Sequence, residues 1–339
     1  MAEPVLLAGF DAGQTHTTCR LALRRSDGRL RVLAEGDGPG VSHLAAAAGE
    51  ERFGPALCIS LERARAAAAS SGEAHALSTA LQAAAVGASG IELGSAVQQL
   101  GTGLAAAALG LPLQRVLVSG DERTALHGAF GGGPGIVVIS GTGCIALGRN
   151  GQGEEHRCGG WGWLLDRGGS ACDIGRDALA LSLEMADGRR PDSGFRGRLW
   201  AALGGDPITP QRIKALVVEP GFGAAGFARL APEVNALAEA EDPHANAVLE
   251  HSAKGLVELV AGVARTLGLE DGEVCGLGGA LGHLDRFSTA YQRRLKLVLP
   301  KARLVPPRGD ACQGALQLAE QLLNVEPEAA LSSGSLRPG

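Results

Sequence analysis

The sequence predicts an α/β protein with two related domains, and three observations support this prediction. At 339 residues the chain exceeds the usual size of a single hydrophobic core, so two domains are expected. Aromatic residues make up only 3%, whereas alanine, leucine, valine and glycine dominate, which is typical of thin, closely packed layers. One pattern of strand, polar glycine turn, strand, glycine turn and strand occurs twice. Such internal repetition indicates two similar domains that face one another.

Composition and charge argue against several function classes. A net charge of −5 and a pI of about 5.9 disfavour a basic face for nucleic acid. Only four lysines occur, and none follows a glycine-rich turn as in a P-loop, so a nucleotide site must bind phosphate without that lysine. Seven cysteines without a CxxC pair favour reduced thiols over disulfides or a zinc site. No basic leader or long apolar run is present, so we expect a cytoplasmic protein that does not enter a membrane.

The first copy of the repeated unit occupies residues 5–33. An apolar strand at 5–10 leads into a polar turn that begins with Asp11, and strands at 19–23 and 30–33 follow. Hydroxyl and amide groups in such a turn can reach phosphate oxygens, and Asp11 could hold a hydrated Mg²⁺. A purely turn-forming aspartate is the alternative, and the sequence alone leaves both open.

The second copy occupies residues 135–160. A β-branched strand at 136–139 ends in a Ser-Gly-Thr-Gly turn, and the next strand at 145–147 is followed by Asn150-Gly151, a strong hairpin signal. Successive backbone N–H groups in a glycine turn can cradle an anion. The sequence therefore predicts a phosphate-binding turn at residues 141–143.

The remaining elements follow from apolar spacing and capping residues. Helices are predicted at residues 50–69, 94–109, 173–185 and 310–323, strands at 81–86, 115–119, 272–277 and 295–299, a loop at 36–40, a hinge at 131–134 and short helices within 187–226. Asp242 before Pro243 is an N-cap that begins a further long helix. The strand at 115–119 places Asp121 beyond its carboxyl end, which is where ligands bind in open α/β sheets.

Two further motifs are ambiguous by themselves. The Gly-Gly-Ala segment at residues 278–280 follows a strand; it would let the backbone approach an adenosine, or it forms an ordinary strand-to-helix turn. Trp161 and Trp163 alternate around a glycine and could line a sugar face, although tryptophans in an apolar segment also pack into cores.

With these motifs in place, the chain resembles the BadF/BadG/BcrA/BcrD-type ATPase family, within the superfamily of sugar kinases, heat-shock chaperones and actin. It is most similar to the branch of N-acetylglucosamine and glucosamine kinases. The resemblance extends over almost the whole chain through FDAGQTHT, ISGTG, CGGWG, ARLAPEV, GLGGAL and GDACQGAL, in that order. It implies an ATP-dependent kinase that phosphorylates a hydroxyl of a small sugar or amino sugar.

The resemblance also implies an architecture. The α/β fold would comprise two ribonuclease-H-like domains of the actin-like ATPase type, with an interdomain cleft for ATP and Mg²⁺. The implied domains are residues 1–131 together with 310–325, and residues 132–309. Ser, Gly and Pro with little apolar content from residue 326 onward predict a disordered tail at 326–339. The implied partner is a small-molecule sugar, without nucleic acid or membrane, and a homodimer is left open.

Individual roles follow from the same resemblance. Asp121 matches the general base that takes the proton of the substrate hydroxyl, and Asp11 matches the aspartate that organises Mg²⁺ near the γ-phosphate. The implied ATP-binding residues are Gly13, Gln14, Thr15, Thr17, Gly141, Thr142, Gly143, Gly278, Gly279 and Ala280. The implied sugar-binding residues are Ser42, His43, Gly160, Trp161, Gly162 and Asp166.

Four positions depart from the family pattern. Gln14 and His16 stand where glycine and lysine are usual, and Ile145 and Arg167 stand where an asparagine and an acidic residue help to hold the sugar. Either Asp166, one position earlier in the sequence, takes the role of that acidic residue, or the substrate differs. We therefore expect weak or altered use of N-acetylglucosamine, and tolerance of another hexose or of an acidic sugar that Arg167 could pair.

Two other function classes are weighed against the kinase. An ATP-driven activator of this family would hold a [4Fe–4S] cluster through cysteines in a particular glycine-rich context, and Cys144 and Cys158 do not match that pattern. A binding-only sensor, in which Arg167 replaces catalytic acidity, is disfavoured because Asp11 and Asp121 are both retained.

Overall fold

The computed structural model describes residues 4–46, 48–73, 78–204 and 208–324. The chain divides into two compact units. One takes the residues up to Gly133 together with those from Pro307 onward, and the other is Pro134–Pro306. The division falls inside the stretch for which the sequence predicts a hinge, and the hinge motion itself remains a prediction.

Within the described residues, each unit begins with three consecutive strands, and further strands and helices follow. The strands are β1 (Val5–Ala12), β2 (His16–Arg24), β3 (Leu30–Pro39), β4 (Leu81–Ala88), β5 (Val116–Ser119), β6 (Gly135–Ser140), β7 (Cys144–Arg149), β8 (Glu155–Gly159), β9 (Glu273–Leu277) and β10 (Arg303–Leu304). The helices are α1 (Gly49–Ala68), α2 (Ala96–Leu109), α3 (Asp121–Phe130), α4 (Ala171–Ala186), α5 (Phe195–Leu203), α6 (Pro210–Leu216), α7 (Gly223–Ala228), α8 (Ala231–Glu239), α9 (Pro243–Leu267), α10 (Gly279–His283), α11 (Asp285–Val298) and α12 (Ala311–Gln321). Shorter helical segments occupy Ala69–Glu73, Leu113–Arg115 and Leu322–Asn324. Within the described ranges, no helix is both long and apolar enough to cross a bilayer.

The first unit is a five-stranded sheet in the order β3-β2-β1-β4-β5. Strands β1, β2 and β3 are antiparallel, whereas β4 and β5 run parallel to β1. Side chains alternate across this sheet, so Leu6, Ala8 and Phe10 pack in a core with α1 and α2, while Leu7 packs with Leu316 of α12. Both faces of the sheet are therefore covered by helices.

Two glycines bring α12 unusually close to its neighbours. A Cβ atom on Gly9 would lie 2.6 Å from the carbonyl oxygen of Cys312, and one on Gly314 would lie 1.9 Å from that of Thr124 in α3. Backbone atoms cannot be displaced as a flexible side-chain end can. Helix α12 therefore occupies this position because both residues lack a side chain.

The second unit repeats the arrangement of the first. Its five strands have the order β10-β9-β6-β7-β8, with β6, β7 and β8 antiparallel and β9 and β10 parallel to β6. The long helix α9 begins at Asp242, whose side chain accepts hydrogen bonds from the N–H groups of His244 and Ala245. The buried side chains of α9, among them Leu249, Leu256 and Val260, belong to the core of this unit.

The predicted fold class is confirmed. Each unit has three consecutive antiparallel strands followed by two strands parallel to the first of them, which is the duplication that the sequence predicts. The interdomain cleft remains a prediction, and the predicted tail at 326–339 lies outside the described residues.

Two predicted elements are wrong. Residues 295–299 were expected to form a strand, but residues up to Val298 belong to α11, because Phe287, Tyr291 and Leu295 are buried at helical spacing while Leu297 and Val298 are exposed. Residues 36–40 were expected to form a loop, but β3 continues to Pro39. The glycine at 36 serves close packing instead, since a Cβ there would lie 2.1 Å from the backbone nitrogen of Ala64 in α1.

Candidate active site

Two carboxylates lie at one edge of the first sheet. Asp11 is the penultimate residue of β1, and Asp121 begins α3 two residues after β5 ends. Because β1, β4 and β5 are parallel and adjacent, their carboxyl ends share that edge. The pKa of Asp11 is raised, mainly by burial and next by the negative charge of Asp121, with a smaller opposing effect of His16 and a further rise from Asp310. The structure thus brings both predicted catalytic aspartates together.

Asp121 has a carboxylate available for chemistry. It lies in the first turn of α3, where the helix dipole favours a negative charge, and Gly120 in extended conformation is the N-cap. The hydroxyl of Thr124 donates to the main-chain carbonyl of Asp121 at 2.9 Å, so that turn is fixed. Among the described residues, none donates a hydrogen bond to the Asp121 carboxylate. A general base needs a carboxylate that is held in position and is free to accept a proton.

Asp310 is a third carboxylate near this edge, and it is not among the site residues predicted from the sequence. Arg20 of β2 donates two hydrogen bonds to it, at 2.7 and 2.6 Å, and a third to Glu35 at 2.6 Å. Burial by itself would raise the pKa of Asp310, but the hydrogen bonds from Arg20 and from the N–H of Gln313 leave it below its ordinary value. The N-cap position before ACQGAL was a detectable signal for Asp310, whereas nothing in the local sequence indicates the role of Arg20.

The predicted phosphate turn of the first unit is a tight hairpin. The N–H of Gly13 donates to the carbonyl of His16 at 3.0 Å, which leaves Gln14 and Thr15 exposed at the tip. The Thr15 hydroxyl and the His16 Nδ1 atom lie 3.0 Å apart. Thr17 is fully buried and its hydroxyl has no partner within the described chain, so its side chain is not presented to solvent with the others.

Part of the predicted sugar-binding region lies against this turn. The N–H of Val41 donates to the carbonyl of Gly13 at 2.9 Å, and a Cβ on Gly40 would lie 2.0 Å from the carbonyl oxygen of Gln14. Ser42 is half-buried and His43 is exposed, and the imidazole of His43 lies directly over the backbone of Gly90. The structure therefore brings Ser42 into the same part of the unit as the phosphate turn.

The second predicted phosphate turn joins β6 to β7. The N–H of Gly141 donates to the carbonyl of Gly143 at 2.9 Å, and both Thr142 and Gly143 are exposed. A Cβ on Gly141 or Gly143 would meet nothing within 4 Å in the described part of the chain. The backbone of this turn is consequently open to a ligand.

The predicted adenosine turn adjoins the second phosphate turn. Gly278 has φ +94°, and a Cβ on it would lie 2.3 Å from the carbonyl oxygen of Ser140, so glycine is required there. The pairing of Ile139 with Leu277 places the two turns beside each other at the ends of parallel strands. Gly279 is exposed, whereas Ala280 is buried within α10.

The loop from Gly160 to Asp166 is held by its own acidic residue. One carboxylate oxygen of Asp166 accepts hydrogen bonds from the N–H groups of Trp161 and Gly162, at 2.8 and 3.1 Å. The pKa of Asp166 is raised, chiefly by burial, although these N–H groups oppose the rise. Trp161 is 62% exposed, and the guanidinium of Arg157 lies 4.8 Å from the centre of its ring. Trp161 thus offers a ring to a ligand, while Trp163 packs with Phe227 in the core region.

A cation could be held at Asp11 with the help of a bound ligand. In the described ranges, no group of three or more His, Cys, Asp or Glu side chains could enclose a metal ion. A hard cation that arrives with phosphate oxygens and water needs only one or two carboxylates. Asp11, whose own charge is disfavoured by Asp121 and Asp310, is suited to that role because a cation would relieve the repulsion.

The chain consists of two duplicated α/β units. One has aspartates and a polar turn at the edge of its sheet, and the other has two open glycine turns. These features are those of a nucleotide-dependent enzyme with the actin-like ATPase fold. The chain belongs to the BadF/BadG/BcrA/BcrD ATPase family, whose model matches residues 8–314.

Several relatives resemble the chain over most of its length. It is 28% identical over 213 residues to the N-acetylmuramic acid/N-acetylglucosamine kinase of Clostridium acetobutylicum, a match that covers 60% of this chain and 67% of that protein. It is 31% identical over 190 residues to the N-acetyl-D-glucosamine kinase of Dictyostelium discoideum, covering 55% of this chain and 59% of that protein. A crystal structure of a candidate N-acetylglucosamine kinase from Chromobacterium violaceum superposes with a TM-score of 0.71 at 28% identity, covering 93% of this chain and 99% of that one.

Proposed function

We propose that the chain is an ATP-dependent kinase that transfers the γ-phosphoryl group of ATP to a hydroxyl of a small sugar or amino sugar. The observation that supports this best is the proximity of Asp11 and Asp121 at the carboxyl edge of the first sheet. Among the described residues, none donates a hydrogen bond to the Asp121 carboxylate. The relatives named as N-acetylglucosamine kinases support the same reaction class.

The two aspartates have separate tasks in this reaction. Asp121 accepts the proton of the attacking sugar hydroxyl, whose oxygen forms a bond to the γ-phosphorus while the bond from that phosphorus to the ADP oxygen breaks. Mg²⁺ that arrives with ATP would be held by Asp11 and would neutralise charge on the phosphates. Backbone N–H groups and hydroxyls of the two predicted phosphate turns donate hydrogen bonds to phosphate oxygens. The turns comprise Gly13, Gln14 and Thr15 in one unit, and Gly141, Thr142 and Gly143 in the other. Positioning and charge neutralisation provide most of the rate in such transfers.

The side chain of Arg167, next to Asp166, supports a second candidate substrate class, namely sugars that bear a carboxylate. Asp166 is hydrogen-bonded within its own loop, so it does not simply replace the acidic residue of the related kinases. Arg167 is exposed and has no partner within the described chain. The exposed Arg167 guanidinium favours a sugar that bears a carboxylate over a strictly neutral one, and the Clostridium relative is named as a kinase of N-acetylmuramic acid and of N-acetylglucosamine.

A screen of acceptors tests the proposal. ADP release is measured with neutral, amino, N-acetylated and carboxylate-bearing sugars, for the wild-type chain, Arg167→Gln and the exposed control Arg52→Gln. Loss of one charged hydrogen bond predicts a rise of about tenfold in KM for the acidic sugar with Arg167→Gln only. A wide preference for N-acetylglucosamine, unaffected by Arg167→Gln, would contradict the acidic acceptor. ADP release at the same rate without any sugar would instead favour an activator-type ATPase.

A further inference from the structure

Two consecutive glycines, Gly168 and Gly169, form a buried strap that ends at the N-cap of α4. Both have positive φ angles, +83° and +105°, which residues with side chains rarely adopt. A Cβ on Gly169 would also lie 3.1 Å from a methyl carbon of Leu256 and 3.2 Å from the sulfur of Cys144. Such a backbone persists only where its surroundings fix it.

Side chains from three elements, α9, β6 and β7, fix the strap. Its N–H donates to the hydroxyl oxygen of Ser252 in α9 at 2.9 Å, and its carbonyl accepts from the hydroxyl of Ser140 at 2.5 Å. Both serines are fully buried. The thiol of Cys144 donates to the carbonyl of Gly168 at 3.4 Å. The position of this short segment is therefore determined by three hydrogen bonds from side chains.

Ser252 has no place in the apolar pattern of its own helix. It lies between Leu249 and Leu256 on the buried face of α9, where helical spacing calls for an apolar residue. A buried hydroxyl costs free energy unless it is hydrogen-bonded, and its partner here is the strap. The neighbouring Gly255 lets α9 approach, since a Cβ on it would lie 2.6 Å from the carbonyl oxygen of Arg167.

The strap adjoins both glycine turns of the second unit. Directly after it, the N–H of Ala171 donates to the carbonyl of Gly141 at 2.8 Å. Ser140, which binds the other side of Gly169, is the residue against which Gly278 packs. A displacement of Gly169 would therefore be transmitted to the phosphate turn and to the adenosine turn.

We infer that Ser252 is a positioning residue for nucleotide binding: it fixes the strap and, through the strap, the two turns at residues 141–143 and 278–279. The inference rests on the proposed function in that ATP is the ligand of those turns. Ser252 itself need not touch the nucleotide. Removing its hydroxyl leaves the buried N–H of Gly169 without a partner, so the strap relaxes and the turns lose their preformed geometry.

The test measures the affinity for a non-hydrolysable ATP analogue by calorimetry, which does not require kinase activity. We expect Ser252→Ala to weaken binding about three- to tenfold, the loss of one buried hydrogen bond, and Ser252→Thr, which keeps the hydroxyl, to restore most of it. In steady-state assays KM for ATP rises by the same factor, while KM for the sugar changes less than about twofold.

Ser182→Ala is the matched control. Ser182 is also a fully buried serine on a helix of the second unit, and its hydroxyl accepts a hydrogen bond from the indole of Trp200 at 2.9 Å, away from both turns. Its loss should lower the melting temperature as Ser252→Ala does, but leave the analogue affinity within about twofold. Equal affinity of Ser252→Ala and wild type would overturn the inference. If Ser252→Ala does not fold, Ser140→Ala tests the opposite side of the strap with the same expected loss.

Failure of the proposed function has a different signature. A wild-type chain that does not bind the analogue at all would refute ATP as the ligand, and the inference with it. Analogue binding by the wild type that is undiminished in a folded Ser252→Ala variant would refute the inference alone.

Discussion

At the scale of single residues, Asp11 occupies a position that suits chemistry better than stability. Burial and the charges of Asp121 and Asp310 raise its pKa in the folded chain. Because that pKa exceeds the unfolded value, ionised Asp11 disfavours the fold at neutral pH, and this penalty fades as pH falls through the folded pKa toward about 3.9. A residue held at such a cost is expected where function demands it.

Asp11→Asn should therefore stabilise the chain while abolishing phosphoryl transfer. At pH 7.5 we expect its melting temperature to rise by roughly 2–4 °C, the shift that about 1 kcal/mol produces in units of this size. The gain should shrink as pH falls through the raised pKa of folded Asp11, because the wild-type carboxyl then becomes protonated. Thermal denaturation across this pH range measures it, with Asp285→Asn, another aspartate in the first turn of a helix, as the control. A lower melting temperature at pH 7.5, or a gain independent of pH, would contradict the assigned environment.

The pair formed by Arg20 and Asp310 should show the opposite pH dependence. Asp310 has a lowered pKa, so its contribution is present at neutral pH and is lost as pH falls below about 4 through the folded pKa. Arg20→Gln should cost about 1 kcal/mol at pH 7, since one partner is exposed and solvent screens the pair. Denaturant unfolding at pH 7 and pH 3 measures the difference.

Arg24→Gln is the comparison for that experiment, because Arg24 pairs with Glu320 of α12 through a single contact of 2.7 Å from the same strand. We expect a smaller loss there than for Arg20→Gln, whose guanidinium makes three hydrogen bonds. If Arg20→Gln lowers the free energy of unfolding equally at pH 7 and pH 3, Arg20 does not stabilise the ionised form of the Asp310 carboxylate.

At the scale of elements, the position of α12 depends on glycines that leave no room for a methyl group. A Cβ on Gly314 would lie 1.9 Å from the carbonyl oxygen of Thr124, and that carbonyl belongs to the backbone of α3. Gly314→Ala should consequently destabilise the first unit by at least about 2 kcal/mol despite the better helix propensity of alanine.

Gly197→Ala provides the control for that substitution, since Gly197 lies in α5 with no atom within 4 Å of the added Cβ in the described part of the chain. It should be neutral or stabilising by up to about 1 kcal/mol. Denaturant unfolding of the two variants measures both effects. A Gly314→Ala variant as stable as wild type would mean that α12 does not pack on α3 as described.

The elements also show where sequence reasoning succeeds and where it fails. In the strands of both repeats, apolar residues recur with a period of two. In the long helix after Asp242 they recur with a period of 3.6, and a capping residue marks where the helix begins. These elements could therefore be predicted. The wrong strand at 295–299 arose because four apolar residues in five fit either period, and only packing around Phe287 and Leu295 distinguishes a helix from a strand there. The glycines of β3 resembled a loop because their role, contact with α1, is not a local property.

At the scale of the whole molecule, the repeated arrangement of strands was predictable and the partners of the site residues were not. Asp11 lies near the end of a strand, and Asp121 and the glycine turns each follow one, so topology brings them to sheet edges. Arg20 and Asp310 are separated by 290 positions, and Gly169 and Ser252 by 83. Such pairs leave no signal in a single sequence, because each partner alone resembles an ordinary surface arginine or helical serine.

The most direct test of the proposed kinase activity, with Asp121 as its general base, is the fate of the γ-phosphoryl group in Asp121→Asn. Phosphorus NMR follows ATP, ADP and sugar phosphate for the wild type, Asp121→Asn and the control Asp285→Asn, and calorimetry measures binding of an ATP analogue to each. We expect one sugar phosphate per ADP for wild type and control. For Asp121→Asn we expect a loss of about 10²–10⁴-fold in rate with nucleotide affinity nearly unchanged, because the base is not part of the phosphate-binding turns. Undiminished turnover by Asp121→Asn, or ADP formed without sugar phosphate, would contradict the proposed activity.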